Sequence, residues 1–367
     1  MSQYILVMVW LVLIYIISQT INVYKSEYVL GKKEIRVRVG FAIFAVIPLI
    51  WWAATRPLSF GDSDAYVRMF ETLPDTISAI PSYVDGVEKD KGFSVLSILI
   101  KCIVGQRYEF YFAILATIQG ISLALVFRKY SSNFILALFL FVATTDYLSW
   151  MHNGVRQFTA VALIFASTEL MLKKKYVLLI AIILLSSMIH GSALLMIPIV
   201  FVVQGKPWNK KTVLAIVLFL AAIVFVDNFT TLLNNLLADT QYTNVVSDWQ
   251  AGNDDGTNPI RVLVYAVPTL LSIVGIRYIK AEKDPVIDLA CNMGILSTLL
   301  YCLSAATSGI FIGRLPIYCS MYATGILLPW ELDNIFTKES SRVLKLGTVI
   351  CFLAFYYYQV CLAWGLF

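Results

Sequence analysis

Charge is what this 367-residue sequence has least of: 14% of its residues are Asp, Glu, Lys or Arg, while 59% are apolar. Ordinary globular domains are about one quarter charged, so a water-soluble fold is excluded. Cysteine occurs six times, at Cys102, Cys291, Cys302, Cys319, Cys351 and Cys361, always inside an apolar run and never at CxxC spacing. That pattern excludes a disulfide framework or a thiolate metal site and reads as small core residues. Internal repeats, low-complexity tracts and heptads are missing as well. The first apolar run, Tyr4 to Ile21, has neither a basic residue before it nor a small-residue cleavage signature after it. It reads as a retained first helix rather than a signal peptide.

What the sequence has instead is apolar length. Runs fall at about 4–22, 39–55, 92–105, 110–127, 134–150, 155–172, 176–204, 212–228, 260–276, 286–307, 315–330 and 343–364. A crossing takes roughly 20 apolar residues, so about ten crossings fit. The expected fold is all-α, a single polytopic membrane domain over 1–367 of about 10–12 membrane helices, short re-entrant or broken ones included. Two long outer loops, 56–91 and 227–259, interrupt it. If every run crossed once, the basic clusters at 25–38, 128–129, 173–175 and 206–211 would not share a side. Gly92–Gly105 is about 21 Å long as a helix, short for a crossing, and could dip and return. The run 176–204 is interrupted by His190-Gly191-Ser192 and could be two half-helices meeting there. With both assignments 19 Lys and Arg lie on one side, inner by the positive-inside rule, and nine on the other.

Costly polar residues then gather on the outer side. Arg56-Pro57 ends the second run and leads to Asp62-Ser63-Asp64-Ala65-Tyr66. There Asp62 or Ser63 could cap the amphipathic stretch Ala65–Leu73, or a carboxylate could serve catalysis or acceptor binding. Asp90-Lys91-Gly92-Phe93 opens the short helix, whose Lys101 lies at a depth that calls for a polar cavity or a partner. His152-Asn153-Gly154-Val155-Arg156-Gln157 stands between two runs, and His190-Gly191-Ser192-Ala193 within the longest. Gly309 to Pro316 carries Arg314, with Tyr318 one turn on. Three outer arginines, Arg56, Arg156 and Arg314, suit a lipid pyrophosphate, because guanidinium groups donate paired bonds to phosphate and keep their charge when partly desolvated. Trp51, Trp52, Tyr66, Tyr83, Tyr147, Trp150 and Trp249 offer faces for sugar rings, though interfacial belts account for most such residues.

In this order and spacing the groups resemble the EpsG family of Wzy-type polysaccharide polymerases. The match rests on Asp62-Ser63-Asp64-Ala65-Tyr66, Asp90-Lys91-Gly92-Phe93, Val155-Arg156-Gln157 with Lys173-Lys174-Lys175 at the end of the helix, His190-Gly191-Ser192-Ala193, and Arg314 with Tyr318. It covers nearly the whole chain, most clearly about 30–205, and departs at Asp90, where the family commonly has Glu. The resemblance implies a GT-C-like glycosyltransferase of the cell inner (cytoplasmic) membrane, working at its outer face on undecaprenyl-pyrophosphate-linked oligosaccharide. The growing chain would leave its lipid pyrophosphate for the incoming repeat. Arg56, Arg156, Gln157, Arg314, Tyr318 and Tyr66 would bind substrate and pyrophosphate, and His190 would take the acceptor proton, with Asp62 and Asp64 as alternative bases. No cofactor is implied and charge stabilisation could serve without a metal, although a divalent ion stays compatible. Implied partners are the lipid-linked oligosaccharide, membrane lipid, and a chain-length regulator and flippase of the same pathway, with no nucleic acid. An O-antigen ligase-like transferase would share this chemistry, and a lipid-linked oligosaccharide flippase is the reading from another class.

Overall fold

The structure, a computed structural model, describes residues 3–226, 228, 231–232, 235 and 256–366. Most of the expected outer loop 227–259, Trp249 included, lies outside the described residues. The chain is an all-α polytopic membrane protein, 78% helical. Among the described residues Gln3–Thr20, Tyr108–Tyr130, Pro285–Ala306 and Lys338–Ala363 are each long and apolar enough to cross a membrane, and counting each of two bent pairs as one span raises the number to six. Four shorter apolar helices, Val39–Ala54, Val155–Ala166, Tyr176–Ile189 and Gly191–Val202, accompany them. The expected ten to twelve membrane helices are therefore approached only when short and bent segments are counted. The chain divides into two compact units, Met1–Ile197 with Arg342–Phe367, and Pro198–Ser341.

The first unit contains α1 (Gln3–Thr20), α2 (Val39–Ala54), α3 (Ser63–Thr72), α4 (Ile80–Asp85), α5 (Lys91–Val104), α6 (Tyr108–Tyr130), α7 (Phe134–Ala143), α8 (Val155–Ala166), α9 (Thr168–Leu172) and α10 (Tyr176–Ile189). Several are apolar all round. α1 exposes Val9, Val12, Leu13 and Ile16, and α10 exposes Val177, Leu178, Leu184 and Leu185. Such faces would aggregate in water and are the surface that lipid covers.

One departure from all-α lies in the basic segment 25–38, where strands β1 (Tyr24–Val29) and β2 (Lys32–Val37) pair antiparallel around Leu30-Gly31, with Glu27 opposite Glu34. The turn fits the chain because both its residues have positive φ, 49° and 87°. The hairpin is tied to the end of α6. Arg128 pairs with Glu27 and donates to the Val37 carbonyl at 2.6 Å, and Arg36 donates to the carbonyls of Lys129 and Ser131 at 3.0 Å each.

These ties orient the unit. The start of α2 meets the end of α6 at Val37–Arg128, and just past the end of α2, Arg56 meets the start of α6 at Phe112. α8 begins beside Arg156 and leads to Glu169, which pairs with Lys129 and Lys173. α10 then returns from the Lys173–Lys175 cluster to His190. Arg128, Lys129 and Lys173–Lys175 thus share the hairpin's end, while Arg56, Arg156 and His190 lie at the other.

α5 does not run between the two ends. Its start is beside Arg156, and Lys101 near its finish donates to the carbonyls of Phe70, Glu71 and Leu73 at 2.8, 2.8 and 2.6 Å. Those are carbonyls of the last turn of α3 and of the residue that follows it, so one ammonium with three donors gives each of them a partner and complements the helix dipole. Phe70 stacks on Tyr111 at the start of α6, with centroids 4.4 Å apart. The 14-residue helix therefore begins and ends at the same side, as its length requires.

The second unit holds α12 (Lys210–Val224), α13 (Pro259–Val274), α14 (Ile276–Glu282), α15 (Pro285–Ala306), α16 (Ile317–Tyr322) and α17 (Leu328–Asn334), the last two joined by a π-helical segment; α11 (Met196–Val202) leads into it. Asn258 and Asp284 cap α13 and α15, each followed by proline in the first helical turn. α15 is the buried centre, and Asn292 on it donates to the carbonyls of Val203 and Gly205. α18 (Lys338–Tyr357) continues into the first unit, where the Tyr356 hydroxyl donates to the Tyr4 carbonyl at 3.1 Å.

Candidate active site

The long run 176–204 is broken where its polar triplet stands. His190 takes an extended conformation, φ −152° and ψ 118°, which stops α10, and Gly191–Leu195 follows as a 3₁₀ turn. A second irregular residue faces this break. Asp90, at the start of α5, sits in the left-handed region with φ 52°, which Asp tolerates better than most residues. Its carboxylate does not cap its own helix. Instead Oδ2 accepts from Arg156 Nη1 at 2.8 Å, and Oδ1 accepts from the Gly191 N–H at 3.2 Å.

Around this pair the polar groups converge from four stretches of sequence. The Arg156 guanidinium lies 5.6 Å from the Phe93 ring, a cation–π contact that fixes its plane. The Arg156 N–H donates to the Tyr66 hydroxyl at 3.4 Å, and Tyr66 packs edge-on against Phe93. His190 Nδ1 is 2.7 Å from Ser192 Oγ. Exposure divides the pair unequally: the Arg156 side chain is 37% exposed and that of Asp90 is 6%. The arginine therefore keeps an open edge toward solvent while its counter-ion is sheltered.

The other expected ligands differ in setting. Arg56 is enclosed. It donates from Nε to Ser63 Oγ at 3.0 Å and from Nη1 to the carbonyls of Ala53 and Met151 at 2.7 and 3.1 Å, and it lies 3.7 Å over the Phe112 ring. Its Nη2 has no hydrogen-bond partner. Burial pushes the guanidinium down to about 10, which leaves it charged at neutral pH. Arg56 thus ties the end of α2 to the start of α3 and to the π-helical segment Tyr147–Asn153.

Asp62 is exposed and makes no side-chain capping bond, although it occupies the cap position of α3; its N–H donates to Asn153 Oδ1 at 2.9 Å. Asp64 pairs with Arg68 one turn on, at 2.7 Å. Gln157 is buried on α8. Arg314 and Tyr318 belong to the second unit, the former in a 3₁₀ turn and the latter buried on α16. That turn is pinned by contact: a Cβ on Gly313 would stand 2.6 Å from Thr257 Oγ1. His152 is buried in the π-helical segment between Tyr147 and Phe60. Tyr147 and Trp150 are also buried, donating to the Leu49 carbonyl and to Asp146, so neither offers a face to a sugar, whereas Trp51 is 65% exposed.

Among the described residues, no three or more His, Cys, Asp or Glu side chains come together in a way that could hold a metal ion. What sequence reasoning missed is the centrality of Asp90 and the part of Ser192. The available signal was an acidic residue two positions before a glycine at a helix start, which states no partner. The chain matches the EpsG family over residues 39–364. No curated protein and no solved structure matches it.

Proposed function

The chain belongs to the EpsG family, and on that premise we propose that it is an exopolysaccharide polymerase acting on undecaprenyl-pyrophosphate-linked repeats at the outer face of the cytoplasmic membrane. The observation that carries the reading is the half-open Arg156, set by Asp90 and Tyr66 beside the helix break at His190. The reaction breaks the bond between the reducing-end sugar carbon of the growing chain and its pyrophosphate oxygen. A hydroxyl at the non-reducing end of the incoming repeat forms the new bond to that carbon. Its proton passes to His190, and lipid pyrophosphate departs with the bonding electrons. Pyrophosphate is already a good leaving group, so the demand on the protein is charge stabilisation at the departing oxygens, which Arg156 supplies through paired donors; Arg314, in the second unit, is a separate candidate for the same kind of contact. The basic hairpin at the opposite end of the first unit supports an outward-facing site by the positive-inside rule.

The test is polymerisation by purified protein supplied with the lipid-linked repeat, run with and without EDTA. Covalent lengthening of the saccharide is expected. Movement of the lipid-linked repeat across a bilayer without lengthening would replace this reading with a flippase, and transfer of finished polymer to a different acceptor would replace it with a ligase.

A further inference from the structure

We propose that Asp90 is a counter-ion which the anionic end of the substrate displaces from Arg156, so that occupation of the arginine is passed to the helix break carrying His190. The proposal rests on the reading of Arg156 as the pyrophosphate ligand and adds a positioning residue to it.

Three features support the assignment. Asp90 touches both halves of the site at once, Arg156 through Oδ2 and the Gly191 N–H through Oδ1. It is held there by backbone rather than by its own flexibility: its φ is 52°, and two residues on Gly92 leaves no room for a Cβ against Met188, 2.6 Å away. The two partners are also unequal in access, the carboxylate being sheltered and the guanidinium open. An incoming pyrophosphate reaches Arg156 from the open edge and meets a cation already half neutralised. Two anions cannot share one guanidinium at contact distance without repulsion, so pyrophosphate weakens the Asp90–Arg156 bond. The carboxylate still accepts from the Gly191 amide, which draws its charge toward His190, where it stabilises the imidazolium formed on proton transfer.

This arrangement gives a signature that a purely structural residue lacks. Asp90→Asn keeps the shape and removes the charge. Arg156 is then uncompensated, so an anion binds it more tightly, while the link to the break is weakened and turnover falls. In purified full-length protein, inorganic pyrophosphate measured by titration calorimetry should bind about tenfold more tightly to Asp90→Asn than to wild type, with the difference shrinking at high salt. Turnover on the lipid-linked repeat should fall at least tenfold in kcat, with KM unchanged or lower. Asp90→Glu keeps the charge and should bind pyrophosphate like wild type while recovering part of kcat.

Pyrophosphate binding that is unchanged or weaker in a folded Asp90→Asn protein overturns the proposal. If that variant does not fold, a tenfold tightening in Asp90→Glu overturns it equally. Arg156→Ala separates the two levels of inference. Loss of pyrophosphate binding there, with unchanged binding in Asp90→Asn, ends the counter-ion role and keeps the arginine; unchanged binding in Arg156→Ala ends the reading of the arginine itself.

Discussion

Gly92 rests on the backbone of Met188: a Cβ built on the glycine would stand 2.6 Å from the methionine's Cβ and 2.9 Å from its carbonyl oxygen. The contact sets the separation between the start of α5 and the end of α10, and so between Asp90 and Gly191. Gly92→Ala should force the helices apart at a cost of about 1–3 kcal/mol, the range for overpacking a tight contact. Both the Tm in detergent and polymer yield should fall. Wild-type values for both would show that the spacing does not matter to the site.

Arg156→Ala should abolish polymer while protein in the membrane stays near wild-type level, since what is lost is stabilisation of departing charge. Arg314→Ala should do the same. Arg156→Lys keeps the charge but not the paired donors and should restore only a fraction of activity. Polymer of normal length from both alanine variants would refute this assignment.

His190→Gln retains a hydrogen-bonding side chain next to Ser192 but cannot take up a proton at neutral pH. Polymerisation should drop by about 10²–10⁴-fold, the usual contribution of a general base. Full activity would remove His190 from that role and turn attention to Asp62 and Asp64.

Lys101→Met should be a stability variant. It leaves three carbonyls at the end of α3 without their ammonium, with an expected cost of about 3 kcal/mol from lost charged hydrogen bonds. Thermal melting of the purified protein reads this directly. An unchanged Tm would mean that water replaces the lysine.

How far these features could be read beforehand depended on whether they were local. The break at His190-Gly191-Ser192 and the short α5 follow from run length and composition, which a sequence displays. So does the need of Lys101 for a partner, although the partner itself, the end of α3 some thirty residues earlier, does not. The hairpin at 24–37 was read only as a basic loop, because Glu27 and Arg36 reveal their purpose only beside Arg128 and Ser131. Asp90 reads in the sequence only as part of the segment that opens the short helix, for the same reason. Arg156 and Gly191, which it contacts, lie 66 and 101 positions further on, and no periodicity connects residues that meet by folding. Trp150 and Tyr147 were grouped with the interfacial aromatics, but the π-helical turn that buries them has no composition of its own.

Acid should weaken the ion pairs at the basic end. Hydrogen bonds from Lys129 and Lys173 hold the Glu169 carboxyl at about 2, below its usual 4.5. A carboxyl lowered on folding contributes stability above its unfolded value, and that contribution disappears as pH falls toward the folded one. The window is therefore about pH 4.5 down to about 2. Glu169 is 39% exposed, so screening keeps the effect small, below about 1 kcal/mol. Glu169→Gln should lower the Tm slightly at pH 7, where the contribution is fully present, and flatten the Tm-against-pH curve in that window so that the two proteins converge near its acid end; an identical acid limb in both proteins would show the triad to be without weight.

Gly61 has φ +53°, and a Cβ there would collide with Asn153 Oδ1 at 2.2 Å, the atom that accepts the Asp62 N–H. Neither position can change alone. A larger residue at 61 requires a smaller one at 153, and a smaller one at 153 removes the acceptor that the 61–62 turn depends on. The two positions ought therefore to be inherited together. Variation among descendants of this gene should be blocked at both or paired at both, so that the start of α3 and the π-helical turn ninety residues later evolve as one unit.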